Sequence, residues 1–442
     1  MELTVTGYGS DGEGVARAED GRVVFVKGAL QGERCRVTLM KVGKTAAWGR
    51  LAEVLDPAPA RRKPDCPHYP KCGGCQLRHM SYEEELAFKR QKVEDCLRRI
   101  GGQDVEVSVI HGAKQMKRYR NKSQFPVAEG PRLGFYRARS HDVIDVERCL
   151  LQSEGADHIR GAVKAWMEAY RIPAYDEQNG QGLIRHVYVR SNRQGEALAC
   201  ILANGDCLPW EKELTDQIRA AWPKTVGVVL GANTRKTNVI LGDAYRLLWG
   251  QDWLDDQMCG LTFRLSAPSF YQVNTPQAEM LYERAVEFAG LTGEERVLDL
   301  YCGAGTITLT MARWAQEAIG AEIVPEAIEN AKENAAANGV KNVRFFLGDA
   351  GEVATQLAEE ELHAQVVVVD PPRKGLSVEV IEAILEIGPE RVVYVSCDPA
   401  TLGRDVKRLA EGGYKLQQVE AVDLFPRTIH VETVVLLQRG NL

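Results

Sequence analysis

Two residues late in the chain have side chains suited to covalent chemistry. Cys397 stands in YVSCDPATLGRD, after an apolar strand and before a predicted helix. Helix N-termini stabilise anions and lower the pKa of thiols, so a cysteine at this turn is a candidate nucleophile, whereas a cysteine within a strand is usually an inert apolar residue. Glu432 stands at the head of the apolar run VETVVLL. A carboxylate is disfavoured there unless it is paired or functional, which makes Glu432 a candidate base.

A second group of residues is typical of nucleoside binding. In RVLDLYCGAGTITL, Gly303 and Gly305 allow a tight turn and a close approach of a ligand to the backbone. The following strands end in Glu322, Asp349 and Asp370, and a carboxylate after the second strand commonly binds ribose hydroxyls. In open α/β sheets these strand ends form one ligand-binding edge. NAD and S-adenosylmethionine both fit, and the incomplete glycine pattern and the turn DPPR favour S-adenosylmethionine.

The two groups of residues together fit one reaction, the methylation of uracil at C5. Addition of a thiolate to C6 turns C5 into a carbanion that can attack the methyl group of a sulfonium. A base must then remove the C5 proton so that the thiolate can leave. Cys397, Glu432 and a site for a methyl donor are the three components that this chemistry requires.

The elements that position these residues predict a mixed α/β protein. From about residue 270, strands alternate with helices, which predicts a mostly parallel, Rossmann-like sheet with helices on both faces. The last two strands have no helix between them, so we expect the final strand to be antiparallel. Residues 1–57 alternate apolar and polar residues between glycine-rich turns, which favours a small closed β-barrel. We therefore expect three domains, at 1–57, 64–265 and 266–442, the central one of the α+β type.

A cysteine cluster begins the central region. Cys66, Cys72 and Cys75 are separated by five and two residues, and Gly73 and Gly74 allow the backbone to curl so that several sulfurs face one centre. A fourth ligand must come from elsewhere in the chain. Four thiolates suit either zinc or an iron–sulfur cluster, and the spacing does not choose between them.

Charge and composition indicate a cytosolic protein and leave a nucleic-acid partner open. The net charge is -6, but between Lys114 and Arg139 there are eight basic residues and one acidic residue. Such a local patch can bind phosphates or be a solvated face. The sequence has neither a secretion signal nor an apolar stretch of the ~20 residues that a membrane helix needs. We expect a cytoplasmic location, no membrane and no obligate protein partner.

These motifs are where the chain resembles a known family. From end to end it is similar to the RNA uracil-5-methyltransferases, which include bacterial 23S ribosomal RNA and transfer RNA enzymes. The resemblance makes Cys397 the nucleophile and Glu432 the base. It assigns the S-adenosylmethionine site to Gln272 in FYQVN, to Tyr301 and Thr306, where the family often has Phe and Asn, and to Glu322, Asp349 and Asp370.

The resemblance also implies an RNA target and a metal cluster. The N-terminal barrel is similar to the TRAM domain, an RNA-binding module of the ribosomal RNA members that transfer RNA members typically lack, so 23S ribosomal RNA is the expected substrate. The family has a lone downstream cysteine in its cluster pattern, which assigns Cys149 as the fourth ligand and favours a 4Fe–4S cluster over zinc at Cys66, Cys72, Cys75 and Cys149.

Four alternatives stay open at this point. The enzyme could methylate another RNA, such as transfer RNA. The DPPR turn is similar to the (N/D)PP turn of amino-group methyltransferases, which need no cysteine. An iron–sulfur cluster with S-adenosylmethionine also occurs in radical enzymes, although those usually space three cysteines by three and two residues. The chain could also be a non-catalytic RNA-binding or ribosome-assembly protein.

Overall fold

The computed structural model describes residues 1–440 except 238, 243 and 361. The first five strands form a closed barrel in the order β1-β2-β3-β5-β4, as the alternating pattern predicts. Their bounds are β1 Glu2–Tyr8, β2 Gly14–Arg17, β3 Val23–Lys27, β4 Arg34–Val42 and β5 Ala46–Asp56. Val24 and Val26 point into the barrel and are fully buried. Gly49 lies where an added Cβ would come within 2.2 Å of Val37, so the tight barrel interior explains this glycine.

Helix α1, Tyr82–Arg99, follows the cysteine cluster. Ser81 caps it, since its hydroxyl accepts a hydrogen bond from the Glu84 N–H at 3.3 Å. The Ser81 N–H donates to the carbonyl of Ala60 at 2.7 Å. Val93 and Leu97 of α1 belong to the core of the C-terminal sheet rather than to that of the central one.

The central sheet has seven strands in the order β13-β12-β11-β10-β7-β8-β9. Their bounds are β7 Lys122–Ala128, β8 Arg132–Tyr136, β9 Val143–Asp145, β10 Ile184–Ser191, β11 Ala197–Ala203, β12 Thr225–Ala232 and β13 Ala244–Gly250. Two helices, α2 Glu154–Tyr170 and α3 Glu211–Ala221, pack on one face. The hairpin of β14, Trp253–Met258, and β15, Leu261–Ser266, follows this sheet in the chain and places Leu254 in the core on the other face.

The C-terminal sheet has eight strands in the order β18-β17-β16-β19-β20-β22-β21-β6. Its strands are β6 Val109–His111, β16 Arg296–Asp299, β17 Glu317–Glu322, β18 Val343–Leu347, β19 Val366–Val369, β20 Arg391–Ser396, β21 Tyr414–Val422 and β22 Glu432–Arg439. Its helices are α4 Thr275–Ala289, α5 Thr306–Ala312, α6 Pro325–Ala337, α7 Ala350–Glu359, α8 Val378–Ile387 and α9 Pro399–Glu411. Alternate residues of β19 enter two separate cores, which shows that helices cover both faces.

The order of the C-terminal sheet confirms both the predicted parallel arrangement and the predicted antiparallel final strand. Strands β16 to β20 pair in parallel, whereas β22 is antiparallel to both β20 and β21. Strand β6, from residues 109–111, pairs with β21 at the outer edge. Part of the region predicted as the central domain thus extends the C-terminal sheet. Within the described ranges, no helix combines the length and apolar character needed to cross a bilayer.

Candidate active site

One cavity of about 1520 Å³ lies along the carboxyl edge of the C-terminal sheet. The residues that the sequence singled out for chemistry or for cofactor binding all line it. They are Gln272, Tyr301, Thr306, Glu322, Asp349, Asp370, Cys397 and Glu432. Residues separated by up to 160 positions in the chain therefore meet in one space, because parallel strands bring their carboxyl ends to the same edge.

The turn after β16 is built around two buried or partly buried carboxylates. Gly303 and Gly305 have φ values of 53° and 84°, in the left-handed region that favours glycine. The Gly303 N–H donates to the Glu322 carboxylate at 3.1 Å, which draws the end of β17 against the turn. Below it, Asp299 accepts a hydrogen bond from the Thr308 hydroxyl at 2.7 Å. Burial raises the pKa of Asp299 to about 6, and these bonds hold the turn in one conformation.

Sheet register places Cys397 beside Glu432. In the antiparallel pair of β20 and β22, Ser396 is opposite Thr433. The next position on each strand is Cys397 on one side and Glu432 on the other, and both line the cavity. Cys302, in the turn after β16, is a second cysteine at the cavity, but it is buried, whereas Cys397 is partly exposed. The arrangement can therefore present a thiol and a carboxyl to the same ligand.

The Cys397 thiol is not activated in the way that its sequence position predicts. Burial and the neighbouring Glu432 and Asp370 carboxylates raise its pKa to about 12, and the Arg373 guanidinium only partly opposes them. The helix terminus gives little help, because the Asp398 carboxylate accepts hydrogen bonds from the first-turn N–H groups of α9, at 2.9 and 3.1 Å. The expectation of a lowered thiol pKa is thus wrong.

The Glu432 and Asp370 carboxyl groups, which both line the cavity, have raised pKa values. Burial raises the pKa of Glu432 to about 8, and the charge of Asp370 adds to the effect. Burial, with a contribution from Asp299, raises the pKa of Asp370 to about 7. Groups that titrate near neutral pH can accept or donate protons under working conditions, which is the behaviour required of a general base or acid.

His430 is a cavity residue that the sequence reasoning missed. It lies two positions before Glu432 and its ring meets Phe425 edge-on, with centroids 5.9 Å apart. Burial, together with Arg373 and nearby lysines, lowers the pKa of His430 to about 4, so the imidazole is neutral. Its place in the motif HVET, two residues before the predicted base, was the available signal.

Phe270, which also lines the cavity, is 64% exposed, and the Lys122 ammonium lies 5.8 Å from its ring centroid.

The four predicted cluster cysteines line a second, smaller cavity of about 250 Å³. Cys66, Cys72, Cys75 and Cys149 are all free thiols. The Gly74 N–H donates to the Cys72 sulfur at 3.4 Å, and the Arg78 guanidinium donates to the Cys75 sulfur at 3.3 Å. Burial raises the pKa of Cys75 to about 11. In the part of the chain that the structure describes, no three His, Cys, Asp or Glu side chains are close enough to hold a single metal ion.

The basic segment is only partly available for phosphates. Arg118 is directed inward to Asp157 and to the carbonyl of Cys149. Arg132 and Arg137 both pair with Asp142, and these pairs are on the surface. Arg120 and Lys122 line the cysteine cavity instead. Arg137 and Arg139 line a third cavity of about 720 Å³ between the barrel and the β8–β9 region. The eight charges therefore do not form one continuous free face.

Comparison with known proteins identifies the family. A family model described as tRNA (Uracil-5-)-methyltransferase matches residues 81–440, and a TRAM domain model matches residues 1–52. Residues 53–80, with three of the cluster cysteines, lie between the two matches.

Full-length relatives and a solved structure agree with this assignment. An uncharacterised RNA methyltransferase of Clostridium tetani is 44% identical over 98% of this chain and 95% of its own length. One from Halalkalibacterium halodurans is 43% identical over 100% of this chain and 97% of its own. The structure of Pyrococcus abyssi tRNA (uracil-54, C5)-methyltransferase in complex with S-adenosyl-L-homocysteine is 25% identical, covers 99% of this chain and 100% of its own, and has a TM-score of 0.81. The chain belongs to the tRNA (uracil-5-)-methyltransferase family of S-adenosylmethionine-dependent RNA methyltransferases, and it carries a TRAM domain over its first 52 residues.

Proposed function

We propose that this protein methylates C5 of a uracil in RNA, with Cys397 as nucleophile and Glu432 as base. The observation that carries the proposal is that the thiol and the carboxyl lie on neighbouring strands and face one cavity with the nucleoside-binding edge. An amino-group methyltransferase would need no such thiol. A non-catalytic binding protein would have no use for a buried carboxyl that titrates near neutral pH.

The reaction balances through these two side chains. The Cys397 thiol gives its proton to solvent water, its sulfur bonds to C6 of the uracil, and the ring electrons move to C5. S-adenosylmethionine supplies the methyl group to C5. Glu432 takes the proton from C5, the C5–C6 double bond re-forms, and the C6–sulfur bond breaks to return the thiolate. The net products are the methylated uracil, the demethylated cofactor and one proton.

The cofactor site that we propose consists of Gln272, Tyr301, Thr306, Glu322, Asp349 and Asp370. Glu322 ends β17, where a carboxylate accepts hydrogen bonds from ribose hydroxyls, and Asp349 follows β18 at the place suited to an adenine edge. The acids nearest the nucleophile also suit a cationic methyl donor. A positive charge beside Asp370 and Glu432 favours their ionised forms.

A fluorinated substrate tests the proposal directly. RNA that contains 5-fluorouracil should form a covalent complex with the protein and S-adenosylmethionine that survives denaturing electrophoresis, because fluorine at C5 cannot leave as a proton. Cys397→Ser should form none, and Cys302→Ser, which alters the buried rival, should form it normally. If the wild-type protein methylates RNA but gives no such complex, the covalent mechanism is wrong.

We propose 23S ribosomal RNA as the substrate. The TRAM barrel supports this choice, because the ribosomal RNA members of the family are the ones that typically carry it. Transfer RNA is a second candidate, since the Pyrococcus abyssi tRNA (uracil-54, C5)-methyltransferase structure aligns with 99% of this chain. Methylation of both RNAs in vitro, and mass spectrometry of both from a deletion strain, would decide. Loss of 5-methyluridine from transfer RNA alone would refute the ribosomal assignment.

We propose further that Cys66, Cys72, Cys75 and Cys149 hold a 4Fe–4S cluster. The four cysteines come from two separate parts of the chain and line one cavity of about 250 Å³, and four thiolates suit either zinc or an iron–sulfur cluster. The resemblance of their spacing to the family's cysteine pattern favours the 4Fe–4S cluster. The N–H groups that donate to two of the sulfurs are typical of cluster ligands. The cluster would cross-link the cysteine loop to the segment around Cys149.

Metal analysis of anaerobically purified protein tests this assignment. We expect about four iron and four sulfide per chain, with broad visible absorption, and zinc alone would refute it. Reduction in the presence of S-adenosylmethionine should release no 5′-deoxyadenosine. Its release would instead identify a radical enzyme.

A further inference from the structure

A cluster of buried charges joins helix α1 to the segment that leads into Glu432. This segment, residues 423–431, connects β21 to β22 and is called the strap below. The Lys89 ammonium donates to Glu85 at 2.8 Å and to Asp423 at 2.6 Å, and all three side chains are fully buried. Tyr82, at the start of α1, donates its hydroxyl to the other oxygen of Asp423 at 2.8 Å.

Helix α1 also contacts the strap backbone at every second residue. Lys89 donates to the carbonyl of Phe425 at 3.2 Å. Glu85 accepts a hydrogen bond from the backbone N–H of Arg427 at 2.6 Å. Lys92 donates to the carbonyl of Ile429 at 3.1 Å. The last of these contacts is one residue before His430, so α1 fixes the strap up to the edge of the cavity.

Arg427 shows that the strap is held in an unfavourable conformation. Its φ is 72°, which costs a residue with a side chain free energy that other contacts must offset. Its guanidinium also bonds to Glu85, at 3.3 Å, and its carbonyl accepts hydrogen bonds from the N–H groups of Gln76 and Leu77 at 3.0 and 3.2 Å. Gln76 directly follows Cys75, so the cysteine loop and α1 hold the strap from two sides.

Stability alone is a weak explanation for this cluster. Buried ion pairs are often no better for stability than apolar side chains of similar size, because desolvation offsets their attraction. Their hydrogen bonds do, however, demand one geometry. The contacts end at the residues that place His430 and Glu432. Cys397 instead lies between β20 and α9, to which the hydrogen bonds of Glu85, Lys89 and Asp423 do not extend among the described residues.

We propose that Glu85, Lys89 and Asp423 are positioning residues that set Glu432 for removal of the C5 proton. The inference rests on the proposed function, in which Glu432 acts only after methyl transfer. Disturbing the cluster should therefore slow the last step of the reaction and spare the first. A defect in folding would instead reduce every step by the same factor.

Two variants and one control test this role. Lys89→Met removes the central cation, and Asp423→Asn keeps the shape and the Tyr82 bond while removing a charge. Arg90→Met is the matched control, because Arg90 lies on the same helix, its side chain is 42% exposed, and among the described residues its ion pair is with Glu94 on α1, at 3.1 Å. Each protein is titrated with 5-fluorouracil RNA to count competent sites, and turnover on ordinary RNA is then divided by that count.

We expect both variants to form the fluorinated adduct at a rate within about twofold of that of the wild type. Their turnover on ordinary RNA should be slower than that of the wild type by about tenfold or more, and methylated adduct should accumulate. Arg90→Met should match wild type in both measurements. Equal loss of adduct formation and turnover, or no adduct in either variant, would overturn the positioning role. A wild-type protein that forms no adduct would overturn the proposed function, and the positioning role with it.

Discussion

The raised pKa of Glu432 makes a quantitative prediction about the last chemical step. A carboxyl accepts a proton only when it is ionised, so the decay of the methylated adduct should follow the ionised fraction of Glu432. With a pKa of about 8, that fraction is about 9% at pH 7, about 50% at pH 8 and about 91% at pH 9. Decay should therefore speed up about fivefold between pH 7 and 8, and less than about twofold above pH 8.

A pH jump separates this step from the activation of the thiol. The methylated adduct is first allowed to accumulate near pH 6.5 with RNA that carries tritium at C5 of uridine, and the sample is then mixed into buffers from pH 6.5 to 9.5. Tritium release then reports proton removal alone. Adduct formation, measured separately, should keep rising over the whole range, because burial and nearby acids raise the pKa of Cys397 to about 12.

Two results would refute this reasoning. A decay rate that is independent of pH would mean that Glu432 is already ionised in the adduct or is not the base. A decay rate that rises in parallel with adduct formation and never levels off would mean that a group of much higher pKa accepts the proton. Glu432→Gln is the control, and it should retain the adduct at every pH.

Three further predictions follow from the same site and its surroundings. Asp398→Asn keeps the cap of α9 but removes a negative charge that helps to raise the pKa of Cys397. Alkylation of the Cys397 thiol by iodoacetamide should therefore become about two- to fivefold faster, while the free energy of unfolding changes by less than about 0.5 kcal/mol. Unchanged alkylation would show that Asp398 does not influence the thiol. Glu322→Gln replaces charge-assisted hydrogen bonds with neutral ones and should weaken binding of S-adenosylhomocysteine about 5- to 30-fold by calorimetry, with unaltered affinity arguing against Glu322 as the ribose ligand. Cys149→Ser should lower the iron content of the purified protein well below that of Cys207→Ser. Cys207 is a suitable control because it is exposed and lies outside the cysteine cavity. Equal iron content in the two variants would show that Cys149 is not a ligand.

The parts of the fold that follow from local patterns were predictable. Alternation of apolar and polar residues predicted the barrel, and the missing helix before Glu432 predicted an antiparallel β22. The candidate site could also be predicted from the sequence, because acids and glycines that follow strands meet at one edge of the sheet when the strands are parallel. The order of strands and helices was enough to predict that these residues meet in space, and that order follows from the periodicity of apolar residues in the sequence.

Other features depend on long-range contacts that no local pattern reveals. Strand β6 has three residues and becomes a strand only because β21, some 300 positions later, offers an open edge. A lysine side chain is normally expected in solvent, yet Lys89 lies on the same face of α1 as Val93 and Leu97 and is fully buried against Asp423. The thiol pKa of Cys397 was misjudged for the same reason. Its local position favours an anion, whereas burial in the folded protein and the Glu432 and Asp370 carboxylates, from distant parts of the chain, raise its pKa.

The position of β22 has a consequence for how the protein is made. This strand follows every other strand of its sheet in the chain, yet it lies in the interior of the sheet, between β20 and β21. Until residues 432–439 have been synthesised, β20 and β21 have unpaired edges that can associate with other chains. A chain that stops short of β22 leaves these edges open and lacks Glu432, the proposed base, so it should be both inactive and insoluble.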